Sequence, residues 1–479
     1  MQAVNIIKYC VSKWNHYRKN RQIVNAKCSE GDTMVKKFDL MKLVNIYFAF
    51  TIVYYCFGKY SWNIPSYLML FAYLLLCYTM LNVGYRISAV ERRDVFFSTK
   101  RTVSSTLPDY NKIRVIFFIS SIFLIVFQIA WVVTFFGTFD LFNVLANIGD
   151  NYFERLQFKS DSIVPIMQVR TLLWGMTLFA YPLGFMYFIK MPLFDKILFI
   201  FTIFVDVMTS LNMGISKNLG DVVFVFFAVF MLKSGITQRK KAFRKNIIKI
   251  FFAFMLFLIL FSQIQSSRHS VVSFTTENPY GQFAGIRENN LFYLIFGKDS
   301  TISGLIDSIG AYSSHAYTGL AYALTLPFES TGGIGFSRAL MEYFEQYLNI
   351  DVSSATYNAR IDMLYGWHNG QWWPTAFVWI GNAVSLWGVP IILLFLGKFI
   401  RYVEDDFFKT GNFISLALYA QMIITLIYLP CNMQIVQSRA SLFGTLFLIG
   451  LFVLRRRVEN RMFIKHKKNA LILNSYNYE

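Results

Sequence analysis

The sequence predicts an all-α polytopic integral membrane protein of about ten transmembrane helices with a large extracytoplasmic helical loop. Three observations predict it. Apolar residues fall into ten long runs, Lys and Arg concentrate in alternate connections between those runs, and one connection is 111 residues long. A chain of 479 residues with 55% apolar content, 51 Phe and 15% charged residues is no ordinary soluble globule.

The runs cover residues 44–57, 66–81, 115–136, 172–189, 197–211, 222–232, 247–264, 376–396, 413–429 and 442–454. Several reach, with their flanks, the roughly 20 residues a helix needs to cross the hydrocarbon core. With the N-terminus inside, residues 1–43, 85–114, 190–196, 233–249, 397–412 and 455–479 become cytoplasmic. They hold 35 of the 46 Lys and Arg. That asymmetry is the one the positive-inside rule requires, and dropping a helix would reverse several downstream loops.

The arm 1–43 carries nine Lys and Arg before the first apolar run and reads as a retained cytoplasmic segment without a cleavable signal. Helices 1–7 follow over 44–264. Within them, the outer segment 137–162 contains Asp140, Asp150, Glu154 and Arg155, whose charges exclude it from lipid. The fifth and sixth runs are short and fit tilted, re-entrant or shielded helices. The loop 265–375 is rich in Tyr, Phe, Leu and Trp, so it can pack on itself and the helix tops, unlike a disordered linker. Short helices are expected near 302–323 and 338–348, joined by glycine turns above the membrane. Helices 8–10 occupy 376–454 and a basic cytoplasmic tail 455–479.

The formal charge of +19 lies beside apolar runs, as in Arg239-Lys240-Lys241 and Arg455-Arg456-Arg457. It points to anionic lipid head groups and away from nucleic acid. Cys10, Cys28, Cys56, Cys77 and Cys431 show neither metal spacing nor a disulfide framework. No metal or cofactor is expected.

Candidate chemistry sits in the long loop. His315, amid small and aromatic residues, has the pKa range to take a proton from an attacking hydroxyl; its plainer role is a half-buried histidine bonded to backbone. Glu329, just before Gly332-Gly333-Ile334-Gly335, is the most suggestive carboxylate, since glycine turns let a ligand approach backbone N–H groups. Arg268, Arg287, Arg338 and Arg360, with Lys217 at the short helical pair, could hold a diphosphate. Arg338 could instead pair with Glu342 at i+4, and Lys217 could snorkel to the interface. Tyr317, Trp372 and Trp373 could orient sugars, although an aromatic belt explains most of the nearby tryptophans. Asn382, inside the eighth helix, should face protein or a cavity.

The stretch Tyr312-Ser313-Ser314-His315-Ala316-Tyr317-Thr318-Gly319-Leu320 resembles the outer-loop signature of the bacterial oligosaccharide repeat unit polymerases. So do Leu326-Pro327-Phe328-Glu329, Gly332 to Ser337, and Trp373 to Ser385 with Gly388-Val389-Pro390. This is the O-antigen and capsule polymerase (Wzy-type) family, and the likeness extends over about residues 40–455. The resemblance implies a GT-C-like membrane glycosyltransferase in the bacterial cytoplasmic membrane, with its active site facing the periplasm or exterior. It implies undecaprenyl-diphosphate-linked oligosaccharide as donor and acceptor, membrane lipids around it, and a chain-length regulator and flippase as partners. In that family, outer-face arginines and a loop histidine are implicated, and the His315 and Arg360 neighbourhoods are similar to those places. The chain departs from the pattern at Lys217, where an arginine is expected, and at Ala316, where glycine is usual. Two other readings stay open: an O-antigen ligase or protein O-oligosaccharyltransferase on the same donor, and a flippase or transporter without covalent chemistry, for which ionisable residues deep in the helices would speak.

Overall fold

The structure is a computed structural model and describes residues 40–96, 107–136, 150–151, 165–237, 255–264, 278–369 and 371–476. The arm 1–39, most of 137–162, Arg268 and His269 lie outside the described residues. Among the described residues the chain is all-α apart from one two-stranded ribbon. Among the described residues, four helical segments are long and apolar enough to cross a membrane, Leu40–Phe57, Tyr67–Ile87, Tyr110–Thr134 and Pro165–Lys190, all within the first 190 residues. A fifth is available if one bent helix pair counts as a single span. The chain therefore carries a multi-pass membrane region.

Helix α1 (Leu40–Phe57) leads through strand β1 (Tyr60–Trp62) into α2 (Tyr67–Phe96), and α3 (Tyr110–Phe136) follows. The fourth apolar run becomes α4 (Pro165–Thr177) and α5 (Ala180–Tyr187). Then come α6 (Leu193–Asn212), α7 (Lys217–Thr237) and the shorter apolar α8 (Met255–Ile264). Strand β2 (Ala284–Ile286) returns to β1 in antiparallel register, Tyr60 opposite Ile286 and Trp62 opposite Ala284. The loop supplies α9 (Leu291–Phe296), α10 (Thr301–Ser314), α11 (Ala316–Ala323), α12 (Arg338–Leu348) and α13 (Tyr357–Tyr365). The chain ends in α14 (Ala376–Val384), α15 (Val389–Thr410), α16 (Phe413–Tyr428) and the 38-residue α17 (Arg439–Tyr476).

Two glycines set a close helix crossing. A Cβ on Gly84 of α2 would stand 1.9 Å from the Leu394 carbonyl oxygen, and one on Gly397 of α15 would stand 2.2 Å from that of Leu81. The two backbones touch, which only small residues permit.

Two expectations change. The run 376–396 is not one straight helix: α14 and α15 meet at 113°. Ser385 takes φ +67°, Leu386 folds onto Gly381, and the Tyr73 hydroxyl donates to the Leu386 carbonyl at 2.7 Å, so the turn is fixed by contacts remote in sequence. Likewise α10 and α11 do not sit above the helices. They pack beside α1 and α2, where the Tyr317 hydroxyl bonds Thr51 at 2.8 Å and Tyr78 at 2.7 Å, and Thr318 bonds Tyr55 at 3.0 Å. Gly310 gives the room, since a Cβ there would fall 2.3 Å from the Tyr54 ring. Polar loop residues are tolerated among membrane helices when protein satisfies them.

Candidate functional site

The break between α10 and α11 falls at His315, the residue that ends one helix and opens the next. Its Nδ1 lies 2.9 Å from the Ala311 carbonyl oxygen. A carbonyl only accepts, so Nδ1 carries the proton and Nε2 presents its lone pair. That Nε2 is buried and has no hydrogen-bond partner. Burial pushes the imidazole down from 6.5 to about 4, which keeps it neutral.

Aromatic rings enclose this nitrogen. Tyr280 and Trp373 lie with ring centroids 5.9 Å from the imidazole, Tyr312 at 6.4 Å and Trp367 at 6.5 Å. Phe283 and Trp372 extend the wall, with Trp372 at 5.3 Å from both Phe283 and Trp367. The wall is held from two directions. Backbone bonds from Asn63 to Phe283 and from Arg287 to Lys59, each 2.8 Å, fasten the Tyr280–Phe283 turn to β1. From the other side, Gly319 lets Trp367 and Pro374 lie against α11, for a Cβ there would be 2.9 Å from Pro374. The indole N–H groups of Trp367 and Trp373 are also buried and unpartnered.

The other candidates separate into distinct places. Trp372 and Trp373 join His315 on the wall. Tyr317 does not: it is fully buried between α1 and α2 with its hydroxyl already used, a scaffold position and not a sugar contact in this arrangement. Arg360 donates to the Pro327 carbonyl at 2.7 Å and pairs with Glu329 at 3.1 Å, so these two candidates meet each other. They sit beyond the C-terminal end of α11, whose eight residues span about 12 Å from His315. Arg287 donates to the Cys56 carbonyl and caps α1. Arg338 pairs with Glu342 at 2.9 Å on the surface of α12, its side chain 67% exposed. Lys217 pairs with Asp221 at 2.7 Å within α7. Each of the four described cations thus already has a protein acceptor.

Asn382 faces protein. It accepts from the Tyr357 N–H at 2.8 Å and donates to the Gly335 carbonyl and Asn358, which ties the glycine turn to α13 and α14.

Two clusters escaped the sequence. His368 turns its Nδ1 to Asp362 at 2.7 Å, with the ring largely exposed and stacked on Trp372 at 6.4 Å. This is a carboxylate-oriented imidazole on the open side of the same wall. The second cluster lies among α3 to α7. Tyr181 donates to Asp206 at 2.5 Å, Gln128 donates to the same carboxylate, and Arg170 is sandwiched between Trp131 and Trp174. Asp206, Lys217, Asn218, Asp221, Tyr181 and Gln421 line a cavity of about 70 Å³ there. For Lys217 and Asp221 the i+4 spacing was a visible signal; Asp206 gave none beyond being an acid in an apolar run.

No family model, curated protein or solved structure matches the chain. The functional reading rests on its own residues.

Proposed function

We propose that the protein is a membrane glycosyltransferase of about ten transmembrane helices and GT-C-like fold. It polymerises undecaprenyl-diphosphate-linked oligosaccharide repeat units on the outer face of the bacterial cytoplasmic membrane. His315 carries the proposal: a neutral imidazole whose one nitrogen is fixed to backbone and whose other offers a free lone pair within tryptophans and tyrosines. The acceptor hydroxyl loses its proton to Nε2 as its oxygen bonds the anomeric carbon. The bond from that carbon to the lipid diphosphate breaks with its electrons on the leaving phosphate oxygen. Arg360 takes that phosphate once it exchanges Glu329 for the ligand, and Trp372 and Trp373 border the sugar. Of the five cations proposed from the sequence, Arg268 and Lys217 are the other two assigned to the diphosphate. Opening of the wall is a required step, because His315 is only 4% exposed.

Purified protein in lipid vesicles with defined lipid-linked repeat units tests this. Longer lipid-linked glycan should form, and retention of full activity in His315→Ala would remove His315 as the base. Transfer to a different acceptor without lipid-linked polymer would identify a ligase instead. One observation favours the transporter reading: ionisable Asp206, Lys217 and Asp221 surround a cavity in apolar helices. Movement of a fluorescent lipid-linked glycan between leaflets, with no new glycosidic bond, would establish that alternative.

A further inference from the structure

Helix α9, Leu291-Phe292-Tyr293-Leu294-Ile295-Phe296, is apolar on both sides, yet only one side meets protein. Phe292 is buried against α1, with ring centroids 5.4 Å from Tyr54 and 6.4 Å from Phe50. On the opposite side Leu294 is 74% and Ile295 61% exposed, with Leu291 and Phe296 exposed beside them and Ile302 next in line. Five apolar side chains grouped in this way have no reason to face water.

Three features say what covers them. Phe50 and Tyr54 lie seven and three residues before the end of α1, so α9 sits about 5 to 10 Å below the end of a membrane-crossing helix. Its free face continues the exposed apolar side chains Val53 and Phe57 of that same helix. Both ends of α9 are polar: Arg287-Glu288-Asn289-Asn290 precedes it and Gly297-Lys298-Asp299-Ser300 follows. Asn290 caps the first turn through the N–H groups of Phe292 and Tyr293, Gly297 closes the last, and Lys298 pairs with Glu288 across the brackets.

We infer that α9 is an interfacial helix whose Leu291, Leu294, Ile295 and Phe296 are buried in the acyl chains of the leaflet at the C-terminal end of α1. That depth is the one at which amphipathic segments settle, with apolar groups under the head groups and charged flanks among them. The inference does not depend on the proposed reaction. Its consequence for the site is direct, because Arg287–Asn290 join α9 to β2 and so to Phe283 and Tyr280 of the aromatic wall. One side of the cover over His315 is anchored in lipid.

The test uses the full chain, with its native cysteines replaced, in phosphatidylethanolamine–phosphatidylglycerol vesicles. Leu294→Cys, Ile295→Cys and Lys298→Cys are each labelled with a nitrobenzoxadiazole dye. Nitroxide on the lipid acyl chain should quench the dye at 294 and 295 at least about three-fold more than at 298, and aqueous iodide should show the reverse order. Equal iodide quenching at 294 and 298 would overturn the inference. So would protection at 294 from both quenchers, which would mean that protein, such as a second copy of the chain, covers the face. Thermal unfolding matched to the unlabelled protein guards against a misfolded variant.

Discussion

The wall around His315 and the cavity beside Asp206 both bury polar atoms among apolar helices, and they do so in opposite ways. Around His315 the polar atoms are neutral, and the unpartnered ones are a ring nitrogen and two indole N–H groups. Beside Asp206 the groups carry formal charge and are matched in part: Lys217 pairs with Asp221 and Asp206 accepts from Tyr181 and Gln128, while Arg170 Nε, Asn218 Nδ2 and Asp221 Oδ1 are buried without a hydrogen-bond partner. A neutral, unpartnered lone pair can take a proton, but burial lowers its basicity to about 4, so the bound diphosphate has to raise it during the reaction. Paired charges hold helices in place, or move with a transported ion, and have less to offer a hydroxyl.

Substitutions should separate the two regions, and the largest effect belongs to His315. In the proposed transferase, His315→Ala should lower polymer formation by about 100- to 10,000-fold, the usual range for a lost general base, in protein that still folds. A drop in stability with activity retained would break the contrast by making His315 structural. The same residue gives a pH signature. Its folded pKa of about 4 is below its ordinary 6.5, so between these values the unfolded chain binds more protons than the folded one. Stability should therefore fall as pH drops from about 6.5 to about 4 and be independent of this group above 6.5. Denaturation midpoints of the wild type and His315→Gln across that window measure it, and the difference between them should stop changing with pH at neutrality.

Next comes Asp206→Ala, which should cost about 1 to 3 kcal/mol by leaving Tyr181 and Gln128 without their acceptor. Unfolding in detergent, with a double-mutant cycle through Tyr181→Phe, would show the coupling. Polymer formation by the variant that stays folded should be close to normal. Loss of glycan movement with polymerisation absent throughout would favour the transporter reading.

His368→Gln is expected to have a smaller effect, about two- to ten-fold on the apparent KM for acceptor, since the Asp362–His368 pair borders Trp372 on its open side. Smallest is Arg338→Ala. An exposed i,i+4 pair contributes little, so stability should change by less than about 0.5 kcal/mol and activity not at all. A large activity loss would return Arg338 to the phosphate site.

Much of this was legible in the residues. Uninterrupted apolar runs announced α1 to α5, and the Arg338–Glu342 spacing announced its ion pair. The bend between α14 and α15 was hidden because 376–396 reads as continuously apolar. Its cause is the seat of Leu386 on Gly381 and Tyr73, although Ser385, Gly388 and Pro390 were hints. The placement of α10 and α11 was hidden for the opposite reason. Ser313, Ser314 and Thr318 are polar and His315 reads as half-buried, and only the partners supplied by α1, α2 and the turns of α10 itself let them all sit inside. The Asp362–His368 pair spans a helix end at which Gly366 takes φ +75°, so no regular period connects the two residues.

The Gly84–Gly397 crossing has a consequence for descent. Opposite each glycine lies a peptide oxygen, not a side chain, so no second change elsewhere in the chain can make space for a methyl group. Both positions should stay closed to drift in any lineage that keeps this pair of helices in register, while the lipid-facing leucines around them vary freely.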